Sequence, residues 1–167
     1  MIFLGLGSNL SSSFGDRFEN INLALKMLQS KKIKILKKSS FYETPSYPDK
    51  SKPKYSNIVV SIKTKLSPIE LMTVLIFIEK KLGRTRKKKN DPRTCDIDII
   101  DYKRKILEFK HDSGKVNIPH KKISKRNFVL YPLKELCTNW NHPVTEEEIG
   151  YLINNLNKQD KMSILKV

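Results

Sequence analysis

The sequence predicts an α+β fold, and three observations support that prediction. Short apolar runs typical of buried or half-buried strands alternate with two segments in which apolar residues recur every three to four positions. Both of these helical segments begin with a capping residue followed three positions later by glutamate. With 167 residues, 38% of them hydrophobic, the chain can bury a core, and we expect a single domain over residues 1–167.

The first part of the chain is predicted to contain three strands and one helix. Residues 1–6 form an apolar run that favours a buried first strand. Asp16 and Glu19 have the spacing of a capping box, and the apolar residues after them repeat at helical intervals. Residues 33–42 are rich in Ile, Leu, Phe and Tyr, and residues 55–64 alternate apolar and polar side chains, which indicates two more strands.

A second helix and a fourth strand follow. Residues 67–70 read Ser-Pro-Ile-Glu, which places a capping residue, a proline at the first helical position and a glutamate three residues after the cap. Gly83 can end this helix, and residues 96–102 are typical of a strand. The resulting order, β-α-β-β-α-β, is that of the split βαβ, ferredoxin-like arrangement.

A helical and hairpin extension is predicted after this core. Residues 106–109 and 116–118 can pair as a hairpin, and residues 128–136 favour a short helix or turn. Thr145 and Glu148 have the spacing of a third capping box before a last helical stretch.

Charge and cysteine content limit the function classes without choosing among them. The net charge of +16 indicates an anionic partner, which can be a nucleic acid, an acidic membrane surface or a phosphate-rich small molecule. Most of the basic residues are lysines spread along the whole chain, so much of this charge is also consistent with an ordinary solvated surface. Two cysteines, Cys95 and Cys137, make no disulfide framework, and the short apolar start lacks a basic segment before it. We expect a cytoplasmic protein.

Two aspartates on the fourth strand are the strongest local signal for chemistry. Asp96 and Asp98 are two residues apart, so on a strand their side chains point to the same face and their Cα atoms are about 6.5–7 Å apart. Two carboxylates placed in this way can hold one or two hard cations. Alternation also predicts that Ile100 and Tyr102 share this face. Solvated acids at a strand end are the alternative interpretation.

A basic stretch directly precedes these acids. Arginine and lysine clamp phosphates, so a basic loop beside a cation site has the parts that phosphoryl transfer needs. A surface charge run or a nucleic-acid patch remains the alternative for this loop. Its basic residues are Arg84, Arg86, Lys87, Lys88, Lys89 and Arg93. The sequence contains no Walker A motif, no complete GxGxxG fingerprint and no zinc-ligand spacing.

Six short motifs occur in order along residues 1–156. They are Gly7-Ser8-Asn9-Leu10, then 40–45 (Ser-Phe-Tyr-Glu-Thr-Pro), Tyr55-x-Asn57, Glu79-x-x-x-Gly83-Arg84-x-Arg86, 92–99 (Pro-Arg-Thr-Cys-Asp-Ile-Asp-Ile), and Pro119-His120 with Arg126-x-Phe128. In order and spacing this set resembles the 6-hydroxymethyl-7,8-dihydropterin pyrophosphokinases of folate biosynthesis.

The resemblance implies a reaction and its cofactors. Family members transfer the β,γ-diphosphate of ATP to the 6-hydroxymethyl oxygen of the pterin and release AMP. Asp96 and Asp98 would hold two Mg²⁺ ions, one bridging the α- and β-phosphates and one bridging the β- and γ-phosphates. The expected partners are therefore ATP and the pterin, with no nucleic acid and no membrane, and we expect a monomer.

The same resemblance assigns roles to individual residues. Tyr55 and Phe128 would sandwich the pterin ring, and Asn57 would read its edge. The remaining pterin positions are Gly7, Thr44, Pro45 and Tyr47. The ATP positions are Glu79, Arg84, Arg93, Ile99, His120 and Arg126. The catalytic positions are Arg84, Arg86, Arg93, Asp96 and Asp98.

Some positions depart from the family pattern. The loop between Arg86 and Pro92 is one residue shorter than in the enterobacterial type, and residues 89–91 stand where an Arg-Trp pair is often found. Lys121 follows His120 in place of an aromatic residue. We expect pterin recognition of the usual kind with an altered loop.

Two other functions fit parts of the sequence. A basic RNA-binding module of ferredoxin-like topology would use strand aromatics for base stacking, but the RNP1 pattern is absent and Asp96 and Asp98 would repel a phosphate backbone. A non-catalytic interaction domain would have no need of this pair of acids or of Arg93.

Overall fold

The computed structural model describes residues 1–46, 49–83, 93–111 and 114–167. Its elements, in chain order, are β1 (Ile2–Ser8), α1 (Arg17–Ser30), β2 (Lys34–Lys38), β3 (Tyr42–Thr44), β4 (Tyr55–Lys63), α2 (Pro68–Lys81), β5 (Asp96–Tyr102), β6 (Leu107–His111), β7 (Gly114–Ile118), α3 (Asn127–Leu136), α4 (Ile149–Asn154), α5 (Lys158–Met162) and β8 (Leu165–Lys166). Within these ranges no helix is both long and apolar enough to cross a membrane.

One six-stranded sheet forms the centre of the fold. Its strand order is β5-β1-β4-β3-β8, β2 also pairs with β4, and every pair is antiparallel. Elements β1 to β5 follow the predicted ferredoxin-like βαββαβ order when β2 and β3 are counted together as the second strand, which confirms the predicted fold class. The predicted strand over residues 33–42 is two strands, because regular strand pairing is interrupted at residues 39–41. The predicted hairpin is β6 and β7.

Two of the three predicted capping boxes are present. The Asp16 carboxylate accepts hydrogen bonds from the first turn of α1, and the Ser67 hydroxyl accepts one from the first turn of α2. The third prediction is wrong. Glu148 is itself the N-cap of α4, and the Thr145 hydroxyl donates to the Glu147 carboxylate at 2.6 Å instead of capping the helix.

Hydrophobic cores form on both faces of the sheet. On one face, helices α1 and α2 bury Leu4, Ile58 and Leu75 together with Ile97 and Ile99. On the other face, helices α3 and α4 pack against a second cluster that includes Phe3, Val59, Ile100, Leu130 and Trp140. The sheet is therefore covered by helices on two sides, which fixes the direction in which each strand residue points.

A bulge in β5 overturns one expectation about its faces. The pairing of β5 with β1 shifts register where Leu4 lies opposite Ile99 and Phe3 lies opposite Asp101. The extra residue, Ile100, reverses the alternation beyond it. Tyr102 is therefore buried in the α1/α2 core and not on the face of Ile100, while the Trp140 indole N–H donates to the Asp101 carboxylate at 2.9 Å.

A buried histidine stabilises the turn before α4 in its neutral form. Nδ1 of His142 accepts hydrogen bonds from the backbone N–H groups of Val144 and Thr145, both at 3.2 Å. Burial lowers the pKa of this imidazole, and the nearby Asp101, Glu146 and Glu147 carboxylates do not offset that effect. The unfolded chain then binds more protons below about pH 6.5, so His142 reduces stability as the pH falls.

We predict that the His142→Asn variant loses less stability on acidification than the wild type. The asparagine oxygen can replace Nδ1 as the acceptor but does not titrate. Urea unfolding at pH 7 and pH 5 measures the free-energy difference in each protein. Equal differences in the two proteins would contradict the prediction.

Candidate active site

The two aspartates at the start of β5 are each paired with an arginine. Asp96 Oδ2 lies 2.6 Å from Nη1 of Arg93, and Asp98 Oδ2 lies 3.2 Å from Nη1 of Arg126. The side chains remain partly accessible, 26% for Asp96 and 42% for Asp98. Acids and arginines that the sequence predicted as metal and phosphate positions therefore form one charged cluster.

A buried carboxylate fixes the peptide between the two aspartates. Glu79 lies near the end of α2 and is 4% exposed. Its Oε1 accepts a hydrogen bond from the backbone N–H of Ile97 at 2.7 Å. Because Ile97 is the residue between Asp96 and Asp98, helix α2 sets the position of both acids.

A cleft of about 540 Å³ opens beside the cluster. One part of its lining is apolar and includes Met72, Ile76 and Ile99, and the other part carries the two aspartates with His120 and three lysines. The full lining is Met72, Ile76, Glu79, Asp96, Ile97, Asp98, Ile99, Lys115, Val116, Asn117, His120, Lys121 and Lys122. The cleft thus combines a surface for a flat apolar group with a positively charged rim.

Arg93 connects the aspartates to the neighbouring strands. Burial alone would lower the pKa of its guanidinium, but Asp96 and the hydrogen-bonded Tyr55 hydroxyl raise it above its usual value. The backbone of Arg93 is also held, because its N–H donates to Asn9 Oδ1 at 2.8 Å and its carbonyl accepts from the Asn9 N–H at 3.1 Å. Asn9 was not among the predicted site residues, although it lies in the first of the six motifs.

A second group of predicted residues meets on β1, β3 and β4. Asn57 is 5% exposed, and its Nδ2 donates to Thr44 Oγ1 at 3.2 Å and to the Tyr42 carbonyl at 3.4 Å. Gly7 pairs with Asn57, and a Cβ atom at Gly7 would lie 3.0 Å from Asn57 Oδ1. Thr44 pairs with Tyr55. These contacts bring four of the predicted pterin residues together, and the half-buried Pro45 follows Thr44 directly.

The other predicted site residues that the structure describes are Phe128, His120 and Arg126, and they lie on the α3 side of the sheet. Phe128 is in the first turn of α3, with the Arg126 guanidinium 5.5 Å from its ring centre. His120 lies in the same neighbourhood, where burial and the positive charge of Arg126 lower its pKa against the opposing effect of Asp98. Arg126 therefore adjoins Asp98, His120 and Phe128 at once.

Three predicted site residues fall outside the described ranges. They are Tyr47 of the pterin set and Arg84 and Arg86 of the basic loop. The loop departures at residues 87–91 fall outside these ranges too. Their roles stay predictions.

The family model described as 7,8-dihydro-6-hydroxymethylpterin-pyrophosphokinase (HPPK) matches residues 3–138. This chain belongs to the HPPK family. The matched region contains every predicted HPPK site residue, both those of the charged cluster and those around Asn57. It ends before α4, so the last elements of the fold lie beyond the match.

Curated relatives agree with membership of the HPPK family. The chain is 35% identical over 147 residues to the 2-amino-4-hydroxy-6-hydroxymethyldihydropteridine pyrophosphokinase of Bacillus subtilis, which covers 87% of this chain and 83% of that protein. It is 38% identical over 144 residues to the folic acid synthesis protein fol1 of Pneumocystis carinii, covering 86% of this chain. This chain spans only 18% of the fol1 protein.

The fold of this chain is similar to that of a solved HPPK structure. Plasmodium falciparum HPPK-DHPS superposes with a TM-score of 0.74, covering 96% of this chain and 45% of that chain. The sequence identity is 16%, so this likeness bears on the fold alone. None of these relatives supports the RNA-binding alternative.

We predict that replacing Glu79 with alanine lowers the stability of the protein and makes the backbone around Ile97 less ordered. The Ile97 N–H would lose its acceptor in a buried place, which costs about 1–3 kcal/mol. Urea denaturation measures the loss of stability. Glu79→Gln keeps a side-chain oxygen near Ile97 and is the control.

The amide signal of Ile97 gives a local readout for the same variants. Its hydrogen exchange should accelerate in Glu79→Ala well beyond that of Glu79→Gln. If both variants matched the wild type in stability and exchange, Glu79 would not hold this peptide.

Proposed function

We propose that this chain transfers the β,γ-diphosphate of ATP to the hydroxymethyl oxygen of 6-hydroxymethyl-7,8-dihydropterin, in folate biosynthesis. A bond forms between that oxygen and the β-phosphorus, the bond from the β-phosphorus to the α,β-bridging oxygen breaks, and AMP leaves. The alcohol proton is released. The observation that carries the proposal is the pair Asp96 and Asp98, each beside an arginine, at the edge of the 540 Å³ cleft.

The cleft suits ATP in both of its parts. Apolar side chains such as Met72 and Ile76 offer contact to the adenine ring, and the lysines of the rim attract the triphosphate. A guanidinium carries five N–H donors, so Arg93 and Arg126 can each hold an aspartate and a phosphate oxygen together. In this role the arginines orient the phosphates next to the acids.

The group around Asn57 suits the pterin. The contacts of Asn57 Nδ2 with Thr44 and Tyr42 fix the orientation of the amide, and its Oδ1 offers an acceptor to the edge of a heterocycle. Tyr55 on β4 and Phe128 on α3 provide aromatic faces for stacking on the ring. Tyr55 also contacts Arg93. The residues proposed to bind the pterin and those proposed to bind the phosphates are therefore in direct contact.

The acids fit a Mg²⁺ site that is completed by the substrate. In the parts of the chain that the structure describes, no cluster of three or more His, Cys, Asp or Glu side chains could hold a metal unaided. Mg²⁺ at nucleotide sites uses one or two carboxylates, several waters and phosphate oxygens, which matches two aspartates on one strand face. Bound there, two Mg²⁺ ions would neutralise the charge that develops on the phosphates and activate the alcohol.

Expectations about the chain as a whole stay predictions. They are a single domain over residues 1–167, a monomeric state and a cytoplasmic location.

We predict that Asp96→Asn and Asp98→Asn each reduce product formation by at least about a hundredfold, because the amide keeps the shape of the side chain but removes the charge that would hold a cation. The assay supplies ATP, the pterin and Mg²⁺ and measures AMP against ADP by chromatography. Omitting the divalent cation should abolish the AMP signal of the wild type.

Glu146→Gln is the matched control for these variants. Glu146 also pairs with an arginine, Arg104, at 2.6 Å, but it is exposed and lies away from the cleft. It should keep wild-type activity. Full AMP formation by the Asp96→Asn, Asp98→Asn double variant would refute the proposed function.

We predict that Gly7→Ala weakens pterin binding selectively. The added methyl group would lie 3.0 Å from Asn57 Oδ1, closer than ordinary contact, and would displace the amide. Loss of one hydrogen bond to the pterin would raise its KM by up to about tenfold. The KM for ATP should stay near the wild-type value. Gly150→Ala, where a methyl group meets no atom within 4 Å, is the control.

A further inference from the structure

The end of the chain crosses from α3 to the edge of the sheet. We name residues 157–167 the C-terminal strap. It begins with Asn157, which caps α5 by accepting the Asp160 N–H at 2.8 Å, and it ends with β8. The strap lies beyond residues 3–138, the part that matches the family model. Nothing in the resemblance assigns it a role.

One end of the strap is tied to the start of α3 through Asn127. This side chain is 7% exposed. Its Nδ2 donates to the Asp160 carbonyl at 2.6 Å and to Ser163 Oγ at 3.2 Å, while its Oδ1 accepts from the Phe128 N–H at 2.7 Å. First-turn N–H groups of a helix lack partners within the helix. Asn127 satisfies one of them and joins the backbone of Phe128 to the strap.

The other end of the strap is tied to β3. Strand β8 pairs antiparallel with β3, with Lys166 opposite Tyr42 and Leu165 opposite Glu43. The Val167 N–H extends this pairing by donating to the Phe41 carbonyl at 3.0 Å. Strand β3 ends at Thr44, which accepts the hydrogen bond from Asn57.

A charged contact also links α3, β3 and the strap. The Glu135 carboxylate, near the end of α3, accepts from the Tyr42 hydroxyl at 2.8 Å and from the Ser40 N–H at 3.0 Å, and Lys166 Nζ lies 3.4 Å away. Burial would raise the pKa of Glu135, but these partners lower it, so the carboxylate stays charged. Helix α3 is therefore connected to β3 and the strap near both of its ends.

We propose that the C-terminal strap positions the two walls of the pterin site relative to each other. One wall carries Phe128 and the other carries Thr44 and Asn57, and the strap bonds to both. Stacking on a ring requires side chains held to within about 0.5 Å. Asn127 is thus a positioning residue that acts through Phe128. This inference rests on the proposed function.

The test uses Asn127→Asp in the full chain. Aspartate keeps the acceptor for the Phe128 N–H but turns an oxygen toward the Asp160 carbonyl, which breaks the hydrogen bond to the strap backbone. We expect the KM for the pterin and its Kd, measured by pterin fluorescence, to rise about fivefold, equivalent to about 1 kcal/mol. The kcat and the KM for ATP should change less than twofold.

Four further variants guard against a simple folding defect. Ser163→Ala removes one partner of Asn127 and should raise the pterin KM by a smaller factor. Val167→Pro removes the N–H that reaches Phe41, whereas Val167→Ala keeps it and should behave like the wild type. Lys158→Ala changes an exposed side chain on α5 and should also be neutral.

The outcomes separate this inference from the proposed function. A selective rise in the pterin constants supports the strap. Unchanged pterin constants in Asn127→Asp and Val167→Pro, or a parallel loss for ATP and pterin that follows thermal stability, would overturn it while wild-type AMP formation still stood. Absence of AMP formation by the wild type would instead overturn the proposed function.

Discussion

The register of the central strand β1 is the constraint on which the site depends. Gly7 lies opposite Asn57 on one side and opposite Asp96 on the other. Neighbouring strands are about 4.8 Å apart, so the backbones of β4 and β5 are held about 10 Å from each other. A slip of one residue in either pairing would turn one of these side chains to the opposite face. The main-chain ladder therefore fixes the separation between Asn57 and Asp96.

Local charge pairing matters more to this site than the overall charge of the chain. The net charge of +16 attracts many anions and selects none of them. Arg93 and Arg126 lie directly against Asp96 and Asp98, so each acid has a counter-charge within the protein. Glu79 adds a buried acceptor behind them. The described acids and arginines are thus held in place by bonds within the protein.

Local signals predicted the core of this fold, and contacts distant in sequence limited the prediction. The helix caps at Asp16 and Ser67 depend on residues within one turn, so the sequence alone located them. The bulge at Ile100 depends on how β5 pairs with β1, which no local pattern reveals. Among site residues, the motifs located those of the charged cluster. The sequence did not predict a role for Asn127, because its partners Asp160 and Ser163 lie more than 30 residues away.

Strand β8 has a consequence for how the molecule behaves in a crowded solution. A sheet that ended in β3 would offer the backbone of that strand to any passing chain. β8 is two residues long and is the outermost of the described strands on this side, with Leu165 and Lys166 both exposed. A very short outer strand that carries a lysine is a poor template for edge-to-edge aggregation. Damage to this segment would therefore lower solubility.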